Sequence, residues 1–348
     1  MNIFIIHDAK RKSPYFEALS NALKPYNMTV VIASELPPKK RMIERSIIHF
    51  HRLGRFIGKY KDKRAVIREL NDYKKNGYEL AWTVHNFFPL EMTNEITMLD
   101  FYHFLIDFAK CMDYIFTHTE VMKKNAEKLF GVNNVSCIGY GVDYALQDEK
   151  NTKVTSATKS RKFTYLQIGN MRDYKGIEEL IDSFRILSKQ GYDIRLILAG
   201  PQYKNYMNNN VNVIDQNIMY IDRYIYEAEY KHLINISDVM VFPYRVNMNK
   251  FKYGFYSAAI PEAAYHKKFL IVPNNESIIN ILKDVTLCET FDISVNNDLI
   301  NAMERVLHLT KKEIKKKESA LYSLICENTW DRVAQSMVNV FTQELTIR

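Results

Sequence analysis

The stretch IGNMRDYKGIEELIDSF, residues 168–184, carries two cations, Arg172 and Lys175, in a loop that ends at Gly176. An apolar run precedes the loop, and Ile177, Leu180, Ile181 and Phe184 then recur at helical spacing. A strand, a turn and a helix start in that order point backbone N–H groups near Gly176 and Ile177, and the positive end of the helix dipole, out of the sheet. With Gly169 and Asn170 on the approach and Arg172 and Lys175 at the pole, the chemistry that fits is the binding of a diphosphate. A basic loop that is merely solvated is the plainer alternative, and a second stretch weighs against it. In GFYSAAIPEAAYHKKFLIVPN, residues 254–274, the small Ser257, Ala258 and Ala259 precede a helical segment and let a phosphate approach the backbone closely. Glu262 lies about one turn inside, where a carboxylate can accept both hydroxyls of a ribose.

The elements that must position these groups alternate. NIFII (2–6), MTVVIA (28–33), SIIHF (46–50), ELAWTV (79–84), DYIFTH (113–118) and VSCI (135–138) read as strands, with helical spacing at 98–111 and 119–130. The rhythm restarts in FTYLQI (163–168), IRLILA (194–199), VNVI (211–214), VMVF (239–242) and FLIV (269–272). Between the two sets, residues 146–162 are rich in Lys, Thr and Ser and read as a linker. The alternation predicts an α/β chain of two doubly wound parallel-sheet domains facing a central cleft, with ligands at the carboxyl ends of the strands. At 348 residues the chain is long enough for two cores, and 47% apolar residues can fill them. The four cysteines show no CxxC or Cys/His pattern, which fits reduced thiols and no structural zinc. No apolar run reaches the length of a membrane span, and the opening residues lack the pattern of a secretory leader, so a cytoplasmic location is expected. The net charge of +8 favours anionic partners, but the basic residues form neither an RRM-like pattern nor a helix-turn-helix, and nucleic acid is not expected.

Four further places carry candidate chemistry. His85 follows the strand ELAWTV and is expected at a carboxyl end facing the cleft, against the alternative of a packed histidine. His49 and His51 have metal-like spacing without a third ligand and read as strand residues. In SPYFEAL (13–19), Ser13 and Pro14 suit an ordinary helix start, while Tyr15 can stack on a sugar. Residues 52–75 mix Lys and Arg with Leu53, Phe56, Ile57 and Tyr60, a composition that suits an anionic membrane surface as well as a solvated helix face.

Taken in order, IGNMRDYKGIEELIDSF, LILAGP (196–201), EYKHLINISDVMVFPYR (229–245), IPEAAYHKKFLIVPN, TVHNFFP (83–89) and IGYGVDY (138–144) resemble the retaining, nucleotide-sugar-dependent glycosyltransferases of family 4, group 1, with the GT-B fold. The resemblance implies two Rossmann-like domains: an acceptor-binding domain at 1–145 and a nucleotide-sugar-binding domain at 163–328. It also implies a closing helix in 329–348 that packs back on the first domain. It implies that Arg172 and Lys175 grip the donor diphosphate and that Glu262 holds the ribose as the second acid of an E-x7-E motif. Ser257 and Ala258 match a Ser-Gly pair at the diphosphate helix, and Ala259 follows them. Arg245 joins the donor site, and His85 reaches over the transferred sugar. Ser13, Pro14 and Tyr15 fall where acceptors bind. Gly254 stands where the first acid of the motif would be, so that carboxylate contact to the donor sugar is absent. The expected activity is transfer to a glycan or polyprenyl-linked acceptor at the cytoplasmic face of a membrane, without metal or other cofactor. Two alternatives share the fold: a sugar-nucleotide epimerase, and a catalytically silent partner of another glycosyltransferase.

Overall fold

The computed structural model describes residues 1–7, 13–51, 53, 63–88, 95–142, 158–204, 206–207 and 215–343. The chain divides into two compact units. Unit 1 comprises 1–144, 249–256 and 328–348, and unit 2 comprises 145–248 and 257–327.

Unit 1 is built on the strands β1 (Asn2–Ile6), β2 (Thr29–Ala33), β3 (Ser46–Phe50), β4 (Tyr78–Thr83), β5 (Tyr114–Thr117) and β6 (Val135–Cys137). All pairs are parallel, in the order β2-β1-β3-β4-β5-β6. Parallel neighbours need crossovers, and helices Pro14–Leu23, Lys63–Lys75, Glu95–Cys111 and Glu120–Phe130 lie in the connections. The central strands are covered on both faces: β3 and β5 are buried at every residue, the polar Ser46, His49 and Thr117 included. Trp82, Phe50, Phe108 and Phe130 fill one side of the sheet, with the Trp82 and Phe108 rings edge to face at 5.4 Å. The helix Trp330–Gln343 also belongs to this unit and packs on Pro14–Leu23, burying Trp330, Val333, Met337 and Phe341. The Phe341 ring meets Tyr114 and Phe116 edge-on at 5.0 and 5.5 Å.

Unit 2 contains β7 (Phe163–Ile168), β8 (Ile194–Ala199), β9 (Ile218–Ile221), β10 (Val239–Val241), β11 (Phe269–Pro273) and β12 (Glu289–Phe291). These are again parallel, in the order β12-β11-β10-β7-β8-β9. The winding reverses between β7 and β10, which opens a crevice at their carboxyl ends. The expected helix after β7 runs from Ile177 to Lys189 and buries Ile177, Leu180, Ile181, Phe184 and Leu187.

Two strands, β9 and β12, were not expected from the sequence. Both are edges of the sheet: β9 is the short apolar run IMYI, half-buried throughout and a few residues after VNVI (211–214), the expected strand, while β12, ETF, is three residues long and shows neither an apolar run nor alternation. The expected strand at 211–214 and residues 146–157 of the expected linker lie outside the described residues.

Candidate functional site

The crevice of unit 2 is lined by the loop of the opening motif. After β7 the chain passes Gly169, at φ +122°, and returns through a 3-10 turn at Asp173–Lys175 to Gly176, at φ +63°. A Cβ on Gly176 would lie 1.9 Å from the Pro243 carbonyl oxygen, and one on Gly169 would lie 2.6 Å from the Lys175 Nζ. Glycine is therefore required at Gly176 by both torsion and space. The Lys175 ammonium folds back over Gly169 and lies 5.6 Å from the centre of the Tyr244 ring, beyond the end of β10. Burial, and then the Arg172 charge, push its pKa down to about 8. No acid pairs with it among the described residues. The Arg172 guanidinium stacks 4.0 Å from the centre of the Tyr203 ring, and Asn170 is exposed beside it.

Ser257 donates to the Tyr244 hydroxyl at 3.3 Å, so the small-residue segment Ser257–Ala259 is tied to the same crevice. The helix Ala259–Tyr265 carries Glu262 in its first turn. This carboxylate is half-buried and has no hydrogen-bond or ion-pair partner among the described residues. Burial, reinforced by Glu227, raises its pKa to about 7. The Tyr230 hydroxyl, which senses the Glu262 charge, is buried and likewise without a hydrogen-bond partner. Tyr230 is held in place by its own helix, Glu227–Ile236, whose fully buried Glu229 is paired with Arg223, through Oε1 at 2.6 Å. Among the described residues, Lys175 at a strand end without a paired acid and an unsatisfied carboxylate on the neighbouring helix make a site with polar capacity in excess of what the protein itself uses. Arg245 is committed elsewhere: its guanidinium binds Glu179 at 2.6 Å and Glu178 at 2.7 Å, in the first turn of Ile177–Lys189.

Unit 1 gathers histidines at the carboxyl ends of three adjacent strands. His51 follows β3, His85 follows β4 and His118 follows β5. Their rings are linked, with His51 Nδ1 to His85 Nε2 at 3.0 Å and His85 Nδ1 to His118 Nε2 at 2.9 Å; His118 Nδ1 reaches the Gly139 carbonyl at 2.8 Å. The Tyr15 ring packs edge-on to His51 and His85 at 5.5 and 5.3 Å, and to Trp330 at 4.8 Å. Tyr140 stacks on Tyr256 beside His118. Burial lowers the His118 pKa to about 4 and that of His49, bonded to the Thr83 hydroxyl, to about 3. Ser13 sits at the N-cap of Pro14–Leu23 with Pro14 at the helix start, but its hydroxyl makes no cap bond.

Residues 148–320 match the family model of the glycosyl transferases group 1. The chain carries a group 1 glycosyltransferase domain. Its fold is shared across the whole length with solved structures of low identity. Sucrose-phosphate synthase from Thermosynechococcus elongatus superposes with a TM-score of 0.68 at 12% identity, covering 100% of both chains. A glycosyltransferase from Rickettsia africae ESF-5 gives 0.67 at 12%, covering 99% of this chain and 98% of that one. Anabaena HepE, solved with UDP and glucose, gives 0.67 at 10%, covering 99% and 100%. The glycosyltransferase thus has the GT-B fold, its two six-stranded sheets matching two Rossmann-like domains. None of the curated proteins matches it in sequence.

The structure of the glycosyltransferase also explains one departure from the family motif. Gly254 adopts φ +100°, a torsion that disfavours any side chain, so the loop that holds it has no place for the first acid. In the helix Lys63–Lys75, Val66, Leu70 and Tyr73 pack into the core of unit 1, leaving a polar face with Arg64 and Arg68 outward, and Leu53 of the membrane expectation is buried in the same core. Residues 52 and 54–62 of that stretch lie outside the described residues, as do residues 143–144 and Pro89 of the family motifs. His118 and the joining of His51 to His85 were missed in the sequence. The available signal was a histidine at the end of each of three successive predicted strands.

Proposed function

We propose that this glycosyltransferase moves a sugar from a UDP- or GDP-sugar to a glycan or polyprenyl-linked acceptor, with retention of anomeric configuration and without a metal. The observation that carries the donor side is Lys175, a buried ammonium with no acid paired to it among the described residues, held over Gly169 at the crevice between β7 and β10. A diphosphate leaving group supplies the missing negative charge, and Arg172 stands three residues away in the same loop. Glu262 accepts the ribose hydroxyls, which meet its unsatisfied oxygens. Anabaena HepE, of the same fold, was solved with UDP and glucose, which supports a donor of this class.

Stabilisation of the departing diphosphate by two side-chain cations replaces the role of a divalent ion. As the anomeric C–O bond breaks and its electron pair leaves with the diphosphate, the sugar carbon becomes oxocarbenium-like; the acceptor hydroxyl attacks the face the diphosphate leaves and gives its proton to the departing phosphate oxygen. His85 and Tyr15, on unit 1, are assigned to the transferred sugar and to the acceptor. Within the described part of residues 52–75, a membrane contact has the outward Arg64 and Arg68 to rest on, the apolar stripe of Lys63–Lys75 being inside the protein. No helix among the described residues is long and apolar enough to cross a membrane. The test is nucleotide release from UDP-glucose and GDP-mannose, with short glycans as acceptors, in EDTA, and NMR of the product anomer. Release unaffected by EDTA with a retained anomer is the expected result; a strict need for added Mg2+ or Mn2+, or an inverted product, overturns it.

A further inference from the structure

The three hydrogen bonds of the histidine cluster admit one proton assignment in the electroneutral chain. The Gly139 oxygen only accepts, so His118 carries its proton on Nδ1 and leaves Nε2 as a lone pair. That lone pair accepts from His85 Nδ1–H, and the lone pair on His85 Nε2 in turn accepts from His51 Nδ1–H. Each ring is the Nδ1–H tautomer, and the chain ends at His51 Nε2, a buried acceptor with no hydrogen-bond partner among the described residues. The direction is set at one end by a backbone carbonyl, a group that does not titrate.

We propose that His51 and His118 are positioning residues for glycosyl transfer, clamping the His85 imidazole from both sides in one plane and one tautomer. The inference rests on the reading of His85 as the residue that meets the transferred sugar. A ring with both nitrogens engaged has no rotamer left to order when substrate arrives, so the cost of fixing it is met by folding. A clamped neutral ring also adds no positive charge where an oxocarbenium-like centre develops, whereas an imidazolium there would oppose it. Tyr15, His49 and Phe16 pack against His51 and hold the far end of the clamp, at ring separations of 5.5, 4.2 and 4.8 Å.

Two substitutions at His118 separate clamping from packing. In His118→Gln the amide can donate to Gly139 and accept from His85 Nδ1–H; in His118→Leu neither bond is possible. With the full chain and UDP-glucose or GDP-mannose, whichever nucleotide sugar is turned over, His118→Leu is expected to lower kcat about tenfold or more. The same principle sets the expectation for His118→Gln, a recovery to within about threefold. Affinity for UDP or GDP is expected to be unchanged in both, because the nucleotide site lies on unit 2. Nitrogen NMR of the labelled wild-type protein at neutral pH is expected to show the Nδ1–H form for all three rings. Equal kcat in wild type and His118→Leu, or an Nε2–H or doubly protonated His85 in the NMR spectrum, overturns the clamp. Full activity in His85→Ala with the predicted tautomers intact would instead overturn the role of His85 and leave the hydrogen-bond assignment standing, so the two failures are distinct.

Discussion

At the residue scale the proposed donor site rests on two groups, a lysine and a carboxylate, whose titration is shifted in opposite senses by burial. Lys175, lowered to about 8, must be charged to meet a diphosphate, so affinity for the nucleotide falls as pH rises through 8. Glu262, raised to about 7, accepts ribose hydroxyls best as the anion, so affinity falls as pH drops through 7. Nucleoside diphosphate binding is therefore expected to be tightest between about pH 7 and pH 8. Because a bound diphosphate raises the Lys175 pKa, binding near pH 8 should take up protons, which calorimetry in buffers of different ionisation enthalpy reads directly. Flat affinity from pH 6 to pH 9 would contradict both assignments. Glu262→Ala removes hydrogen bonds to a charged acceptor, worth about 1.5–3 kcal/mol, and should weaken binding roughly 10- to 150-fold without changing the fold.

At the scale of elements, the turn between β7 and Ile177–Lys189 is the most constrained join near the site. In Gly176→Ala the new methyl would meet the Pro243 carbonyl at 1.9 Å in a left-handed backbone, so a loss of about 2 kcal/mol or more is expected in urea unfolding. An unchanged midpoint would mean that the loop is not built as described. Much of this geometry was legible beforehand. The strand, the cations, the glycine and the apolar helix face of residues 168–184 stand in the sequence in the order that the structure uses. Arg245 was less legible, since nothing local shows that Glu178 and Glu179, 67 and 66 residues earlier, engage its guanidinium. The histidine cluster was hidden for the same reason: His51, His85 and His118 are 34 and 33 residues apart, and only the strand order β3-β4-β5 brings them together. Motif chemistry held within one loop can be read from spacing, whereas chemistry assembled across a parallel sheet needs the topology.

For the whole molecule, the same buried histidines link stability to pH. His49 and His118 have folded pKa values near 3 and 4, below the usual 6.5 that they regain on unfolding. Between those limits the unfolded chain binds more protons, so their contribution is complete above about pH 6.5 and is lost as pH falls. A loss on the order of 2 kcal/mol for each is expected between pH 7 and pH 5. Glu262, raised to about 7 in the folded state, gains about as much over the same window as one histidine loses, so the net expected loss is that of about one histidine. Urea midpoints at the two pH values test this, and identical midpoints would contradict it. The central claim, however, is that unit 2 is a nucleoside diphosphate site built on Lys175 and Glu262. Its most direct test is calorimetric titration of the intact protein with UDP, GDP, ADP and dTDP in EDTA, repeated with Lys175→Met and Glu262→Ala. The account predicts that UDP or GDP binds and that each substitution weakens it about tenfold or more. Binding of none of the four, or binding that survives both substitutions unchanged, would contradict it.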